Sequence, residues 1–304
     1  MSLVEVMAVS DLHDVSVIIP TRALLERGAL LRRAVESVLA QDGVRSVPVV
    51  VINGLRRDPA LTRELRADRR LRVITLEQAD LPAALRVGRD VVDSPFFAEL
   101  DDDDVLLPGA LAARVECLLA WPEYHTVVTN GFRRNSAGDT LHIPDTSVVE
   151  RDPLRAILQR NWLLPGSWLC RTDAVGSWLF DGMPKFLECT YLALRFATSG
   201  RMKFLGRPTV VWSSDTPLSV SDSRDYVLGQ VAGLRQLLKL ELPPDIRAGY
   251  RARVSSACHA NADLHFKEGA LREAWGWHLR SLRESRGWRY LPFTRHLLRA
   301  PGRI

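Results

Sequence analysis

Four consecutive carboxylates, Asp101-Asp102-Asp103-Asp104, stand directly after the apolar run Phe96-Phe97-Ala98-Glu99-Leu100. Adjacent carboxylates repel one another at neutral pH, so four of them at the end of a buried strand are costly unless a cation is present. On extended backbone Asp101 and Asp103 point to the same side, because side chains alternate with period two. Two carboxylates on one side suit Mg²⁺ or Mn²⁺, hard ions that prefer oxygen ligands and often bridge to phosphates. A bare acidic run is more simply a solvated loop; the buried strand before this one favours a cation.

The elements around the cluster must carry it to the rim of a sheet. Val15-Ser16-Val17-Ile18-Ile19-Pro20, Val49-Val50-Val51-Ile52, Leu71–Leu76 and Phe96–Leu100 are short apolar or β-branched runs, expected as buried strands. Between them Leu31, Ala34, Val35, Val38 and Leu39 recur at helical spacing, and residues 60–69 and 82–92 are helix-compatible. The alternation implies an α/β fold, a mostly parallel sheet with helices on both faces, and ligands in such sheets sit beyond the carboxyl ends of the strands. A helix is expected from Pro108 to Trp121, a hairpin over 125–143, a short helix over 153–161, a strand at Trp168-Leu169-Cys170, a helix over 187–199 and a last strand at Thr209–Trp212. From Tyr226 the pattern is helical, broken at Pro243-Pro244, Gly269 and Gly287. Two parts follow: a sheet domain over 1–222 and a helical extension over 223–304.

The chain has 304 residues, 46% hydrophobic and 25% charged, ordinary for a globular protein and unlike a disordered or collagen-like chain. Cys117, Cys170, Cys189 and Cys258 show no C-x-x-C spacing, and H-E-x-x-H, Walker A and G-x-G-x-x-G motifs are absent. Those absences remove the simplest zinc-site, kinase, dehydrogenase and metalloprotease readings. The cysteines are expected as reduced thiols, mostly buried. Residues 1–222 hold 26 Lys and Arg against 29 Asp and Glu, whereas residues 223–304 hold 15 against 7. The basic extension suggests an anionic partner, such as a membrane surface, against the plainer reading of a solvated arginine-rich face. Trp275, Trp277, Trp288, Tyr290 and Phe293 interleave there with arginines, a composition suited to an anionic bilayer surface or to a dimer contact. Met1–Val6 lacks a basic-then-apolar pattern, and no run approaches about 18 apolar residues. The expected location is the cytoplasm, peripheral at the inner face of a membrane.

Val15–Thr21, followed by Leu31-Arg32-Arg33-Ala34-Val35-Glu36-Ser37-Val38-Leu39-Ala40-Gln41, resembles the opening of glycosyltransferase family 2. Glu99–Pro108 resembles its D-x-D motif with the trailing proline. The resemblance covers about residues 14–215. It implies a GT-A, Rossmann-like fold and inverting, metal-dependent transfer of a sugar from a nucleotide-diphosphate donor to a hydroxyl acceptor (glycan, lipid-linked or small molecule). The setting implied is cell-surface polysaccharide or glycoconjugate biosynthesis. Pro20 and Thr21 would lie near the base; Asp101 and Asp102 would help bind the nucleotide-sugar; Asp103, Asp101 and Asp104 would hold Mg²⁺ or Mn²⁺.

The sequence departs from the family pattern in places. Where the family reads the nucleobase with a carboxylate, this chain has Asn53, an amide that both donates and accepts, in an Asn-Gly pair that also reads as a plain turn. Arg86 or Arg89 stands for the family's phosphate- or base-contacting arginine, with a surface role as the plainer reading. The family's acidic pair that opens a downstream helix is here Glu188-Cys189, leaving Glu188 as the base, with Asp181 behind it; a carboxylate favouring a helix N-terminus is the alternative. Asp215 falls where relatives carry a histidine near the metal, and a turn cap is the simpler role. Trp168 and Trp178 lie in the acceptor half, where sugar stacking competes with core packing. A second reading is a catalytically decayed relative, marked by Cys189 and Asn53, that binds nucleotide-sugar without turnover. A nucleic-acid-binding role has no motif behind it.

Overall fold

The structure, a computed structural model, describes residues 12–216 and 223–299. Met1–Val6 and the segment 217–222 before the expected boundary lie outside the described residues. The described chain divides into two compact units, one of residues 12–181 and 192–216, the other of 182–191 and 223–299. The segment 182–191 thus groups with the carboxyl-terminal helices.

The first unit opens β1 (His13–Thr21), α1 (Gly28–Leu39), β2 (Val44–Asn53), α2 (Pro59–Ala67), β3 (Arg72–Leu76), α3 (Leu81–Asp90), β4 (Phe96–Glu99), the short β5 (Val105–Leu106) and α4 (Ala110–Ala120). Then come β6 (Thr126–Asn135), β7 (Gly138–Leu141), α5 (Ser147–Arg151), α6 (Pro153–Gln159), β8 (Trp168–Arg171), α7 (Glu188–Ser199) and β9 (Met202–Ser213). The division between units falls within α7. Three helices start alike. Asp58, Asp80 and Asp152 accept from the N–H of Leu61, Ala83 and Arg155 at 2.7, 3.1 and 3.0 Å, with a proline in each first turn. A side-chain cap satisfies an orphan donor, and proline in the first turn gives up no helical hydrogen bond.

The strands form one sheet in the order β3-β2-β1-β4-β8-β6-β9-β5, with β7 paired to β6. β3, β2, β1 and β4 run parallel, β8 lies antiparallel between β4 and β6, β9 is parallel to β6, and β5 is antiparallel to β9. Six of the nine described strands therefore point one way. Val15–Thr21 is buried throughout, as expected of a parallel strand covered on both faces. The register sets Thr21 beside Ile52, Asn53 beside Leu76 and Ile18 beside Glu99, so the carboxyl ends of β1, β2 and β4 share one edge. Arg114 on α4 is fully buried and donates to Gly166 O at 2.6 Å, Trp168 O at 3.2 Å and Thr209 Oγ1 at 2.5 Å, tying β8 and β9 to the helix layer. Burial pushes its guanidinium down to about 9.

The last strand of the sheet is longer than the Thr209–Trp212 expected from sequence, beginning at Met202. Gly206-Arg207-Pro208 interrupts its pattern, and the β6–β9 register shifts beside Asn130, opposite this interruption. A strand proline lacks a ladder donor and belongs at such an irregularity. All four cysteines are free thiols; Cys117, Cys170 and Cys258 are buried and Cys189 is partly so.

The second unit carries α8 (Arg224–Leu237), α9 (Pro244–Lys267), α10 (Leu271–Arg283), a 3-10 turn (Gly287–Tyr290) and α11 (Phe293–Arg299). Its breaks fall at the expected prolines and glycines. Leu234, Leu237, Val254, Cys258, Ala262 and Ala274 are buried within it. No described helix is long and apolar enough to cross a membrane.

His142, just after β7, is buried with Nε2 2.8 Å from the Asn161 carbonyl and no described hydrogen-bond partner for Nδ1. Burial, and then the charges of Arg160 and Arg133, push its imidazole down to about 4. The folded pKa lies below the unfolded one, so the unfolded chain binds more protons across this interval, and stability falls as pH drops through 6.5 towards 4. The expected loss is about 3 kcal/mol. Denaturant titrations at pH 7, 5.5 and 4.5 should show a steeper fall for the native chain than for His142→Gln; equal slopes would remove His142 from this account.

Candidate functional site

The aspartate run is a turn, and the period-two argument for Asp101 and Asp103 on extended backbone is overturned. β4 ends at Glu99, Leu100 N–H donates to Ile18 O at 2.9 Å, and Asp104 N–H closes the turn on Asp101 O at 3.1 Å. The chain reverses there so that β5 can pair with β9. The turn still gathers charge: one carboxylate oxygen from each of Asp101, Asp103 and Asp104 lies within 4.8 Å of the others. No other described group of three or more His, Cys, Asp or Glu ligand atoms converges in this way.

Asp102 faces elsewhere. It is buried, accepts from Thr21 Oγ1 at 2.6 Å and from Arg27 Nε at 3.2 Å, and also pairs with Arg27 Nη2. Arg27 Nη2 reaches Asp103 Oδ2 at 2.9 Å as well. Thr216 Oγ1 donates to Asp103 Oδ2 at 2.6 Å, Ser213 Oγ to Asp103 O at 2.9 Å, Arg33 Nη2 to Asp103 O at 2.8 Å, and Ser213 N–H to Asp104 Oδ1 at 2.8 Å. Asp104 Oδ2 is buried with no described hydrogen-bond partner.

Electrostatics follow from this crowding. Burial, and then the carboxylates of Glu99, Asp104, Asp103 and Asp102, push Asp101 well above the usual carboxylate range. Burial and then Asp103 do the same to Asp104, against the opposing hydrogen bond from Ser213. Burial would favour loss of the Arg27 proton, but Asp102 and then Asp103 overcome it and hold the guanidinium charged. The donor set fits a hard divalent cation: three convergent carboxylate oxygens, mutually repelling, one acid with a buried oxygen that nothing described satisfies.

Pro20, Thr21 and Asn53 are buried at the ends of β1 and β2, beside this turn, and Asn53 Nδ2 donates to Thr21 O at 3.1 Å. Thr21 Oγ1 also accepts from Ala23 N–H at 2.9 Å, so the threonine fixes Asp102 to the end of β1. Between Arg86 and Arg89 the structure distinguishes clearly. Arg89 is buried, donates to Thr172 O at 2.6 Å and to Val175 O at 2.7 Å, and covers the Phe97 ring, so it serves packing. Arg86 is exposed and pairs with Asp181 at 3.0 Å. Asp215 Oδ2 accepts from Ser136 N–H at 2.8 Å, the turn-cap role. Trp168 is core: it stacks edge-on against Phe97 and donates to Glu99 Oε2 at 3.0 Å. Trp178 is half exposed, with Arg195 over its ring.

Glu188 belongs to the second unit and opens α7. Its Oε1 accepts from Phe186 N–H at 2.9 Å, and Phe186 has φ +76°, a left-handed conformation rare for a bulky residue. Phe186 and Leu187 lie in a groove that α8 can offer only because of two glycines. A Cβ at Gly229 would stand 2.4 Å from the Phe186 ring, and one at Gly233 2.9 Å from Leu187. Phe186 also meets Tyr226 edge-on, and burial followed by the nearness of Glu188 and Cys189 raises the Tyr226 hydroxyl.

Arg27, Arg33, Ser213 and Thr216 are not legible in the sequence as site residues. Arg27 sits in a 3-10 turn with no pattern of its own, and Ser213 and Thr216 stand in no motif. The spacing Gly229-x-x-x-Gly233 was a readable signal, since residues four apart share a helix face.

The family model described as glycosyl transferase family 2 matches residues 16–171, half of the chain. Among solved structures, S. aureus TarS 1-349 in complex with UDP-GlcNAc aligns with TM-score 0.56 and 16% identity, covering 84% of this chain and 73% of that one. The same TarS segment in complex with UDP gives TM-score 0.52 and 15% identity, over 84% and 72%. A longer S. aureus TarS structure gives TM-score 0.54 and 15% identity over 82% of this chain, which spans 48% of that one. At such identities the likeness concerns the fold, here the GT-A glycosyltransferase fold. No curated protein matches the sequence. Family model and fold agree with the aspartate turn at the carboxyl edge of the sheet, and the chain belongs to glycosyl transferase family 2.

Proposed function

We propose that this family 2 glycosyltransferase is inverting and metal-dependent, moving a sugar from a nucleotide-diphosphate donor to a hydroxyl acceptor in cell-surface polysaccharide or glycoconjugate assembly. The observation that carries the reading is the turn Asp101–Asp104, three converging carboxylates at the carboxyl edge of a parallel sheet. Asp101, Asp103 and Asp104 would hold Mg²⁺ or Mn²⁺. Bound there, the ion supplies Lewis-acid stabilisation of charge on a departing diphosphate. Pro20, Thr21 and Asn53 form the floor beside which a base would lie, Asp102 braces that floor, and Arg86 is the arginine left for a phosphate. The TarS structures contain UDP-GlcNAc and UDP, which makes UDP-GlcNAc the first donor to try.

Glu188 is the proposed base. Its carboxylate takes the acceptor hydroxyl proton as the acceptor oxygen bonds to the anomeric carbon and the bond to the diphosphate oxygen breaks from the opposite face. The hydrogen bond from Phe186 N–H to Oε1 fixes the direction of this carboxylate. Glu188 is preferred to Asp181 because it opens α7, where the family's acidic pair stands; Asp181 pairs with Arg86 at 3.0 Å, a pair that must open for Arg86 to meet a phosphate. The basic helices would meet an anionic membrane surface at its inner face. The decayed-site reading rests on Cys189 beside Glu188, where the family carries a second acid; a thiol is a poor general base.

Mn²⁺-dependent turnover of a nucleotide-sugar separates the two readings. Glu188→Gln should lower kcat by roughly 10²–10⁴-fold while retaining donor-induced thermal stabilisation. Stabilisation by donor without turnover in the native chain would support the decayed relative.

Gly229→Ala tests how Glu188 is held. Alanine favours an exposed helix interior by about 1 kcal/mol over glycine, so a purely helical effect would be stabilising. The clash with Phe186 should instead lower kcat by roughly tenfold, about 1.4 kcal/mol in the barrier, with donor KM unchanged. Unaltered kcat in this variant would detach α8 from catalysis.

A further inference from the structure

The second unit holds a cleft of about 200 Å³ between α9 and the 3-10 turn, lined by Ala252, Arg253, Ser256, Arg286, Arg289 and Tyr290. A water's share of liquid volume is about 30 Å³, so a phosphate group fits with room to spare. Three guanidiniums and two hydroxyls line it and no carboxylate does. Ser256 Oγ and Tyr290 OH lie 2.7 Å apart, and His259 stacks on the Tyr290 ring. Two arginines of the unit are paired with acids, Arg224 with Glu268 at 2.7 Å and Arg235 with Glu284 at 3.0 Å. Arg286 and Arg289 are exposed and form no ion pair among the described residues. Two guanidiniums without an ion pair, lining one cleft with two hydroxyls, offer donors to an anion, and the planar fork of arginine matches phosphate oxygens.

The turn that presents them is fixed. Arg286 has φ +60°, a left-handed conformation that an arginine adopts only when its surroundings impose it. Gly287 follows with its backbone against the end of α10, where a Cβ would stand 2.1 Å from Ser281 O. Next to the two arginines, Trp288 is 68% exposed and Leu291 56%. A soluble phosphate gives no reason to expose them, whereas tryptophan, leucine and arginine side by side suit the headgroup level of a bilayer.

We propose that this cleft is a phosphate site that takes the headgroup of an anionic phospholipid, with Trp288 and Leu291 entering the interfacial region beside it. The choice of occupant rests on the membrane-facing reading of the basic helices and not on sugar transfer. The full chain, without nucleotide-sugar, is floated with phosphatidylcholine vesicles with and without phosphatidic acid, and titrated separately with inorganic phosphate. The expected result is flotation that requires phosphatidic acid and weakens roughly tenfold or more in Arg286→Gln/Arg289→Gln. Arg295→Gln/Arg299→Gln, which removes the same charge from exposed positions outside the cleft, should weaken it less than about threefold. Equal losses in the two double variants would mean diffuse charge and overturn the site. Saturable phosphate binding with no flotation would overturn the lipid as occupant. Either failure leaves the transferase reading to its own kinetic test.

Discussion

Like charges forced together at the end of a buried strand are the constraint around which the first unit is built. β4 must be apolar to fill the centre of the sheet, yet the chain leaves it through four carboxylates. The surroundings answer with every counterweight available to a protein. Arg27 bridges Asp102 and Asp103, the Ser213 amide and hydroxyl and the Thr216 hydroxyl brace the turn, and Thr21 ties it to β1. These contacts do not finish the task. Asp101 and Asp104 remain driven towards their protonated forms, and one oxygen of Asp104 is buried without a described partner. A site that is positioned firmly and neutralised incompletely is what a cation with its anionic ligand would complete.

The second constraint acts on Glu188. A carboxylate that opens a helix is stabilised there by the helix N-terminus, so its position alone says little about chemistry. What distinguishes Glu188 is the work done to hold the residues before it: a left-handed Phe186, and a glycine-lined groove on α8 to receive it. The carboxyl-terminal helices therefore take part in fixing this segment, and the grouping of 182–191 with them has a physical cause.

Much of this was legible in the sequence, for identifiable reasons. Buried parallel strands advertise themselves as unbroken apolar runs, so β1, β2 and β4 and the mixed α/β order could be read directly, and the Asp quartet stood out by its cost. The backbone shape of the quartet could not be read, because local alternation gave way to the demand that β5 reach β9. Arg89 and Arg86 are three residues apart and alike in sequence; only packing shows that one is spent on the carbonyls of Thr172 and Val175. Arg27 is invisible for the same reason, since its value lies in carboxylates seventy-five residues away. Only the end of β9 is legible in the sequence, because Gly206 and Pro208 conceal a strand that tolerates them at a register shift.

The central claim is that the turn Asp101–Asp104 binds a divalent ion. Electron paramagnetic resonance of Mn²⁺ titrated into the full chain counts bound ions directly. One saturable Mn²⁺ per chain, lost in Asp104→Asn without loss of the fold by circular dichroism, is the predicted result. Mn²⁺ that stays free in the presence of the native chain, or binds equally well to the variant, would contradict it.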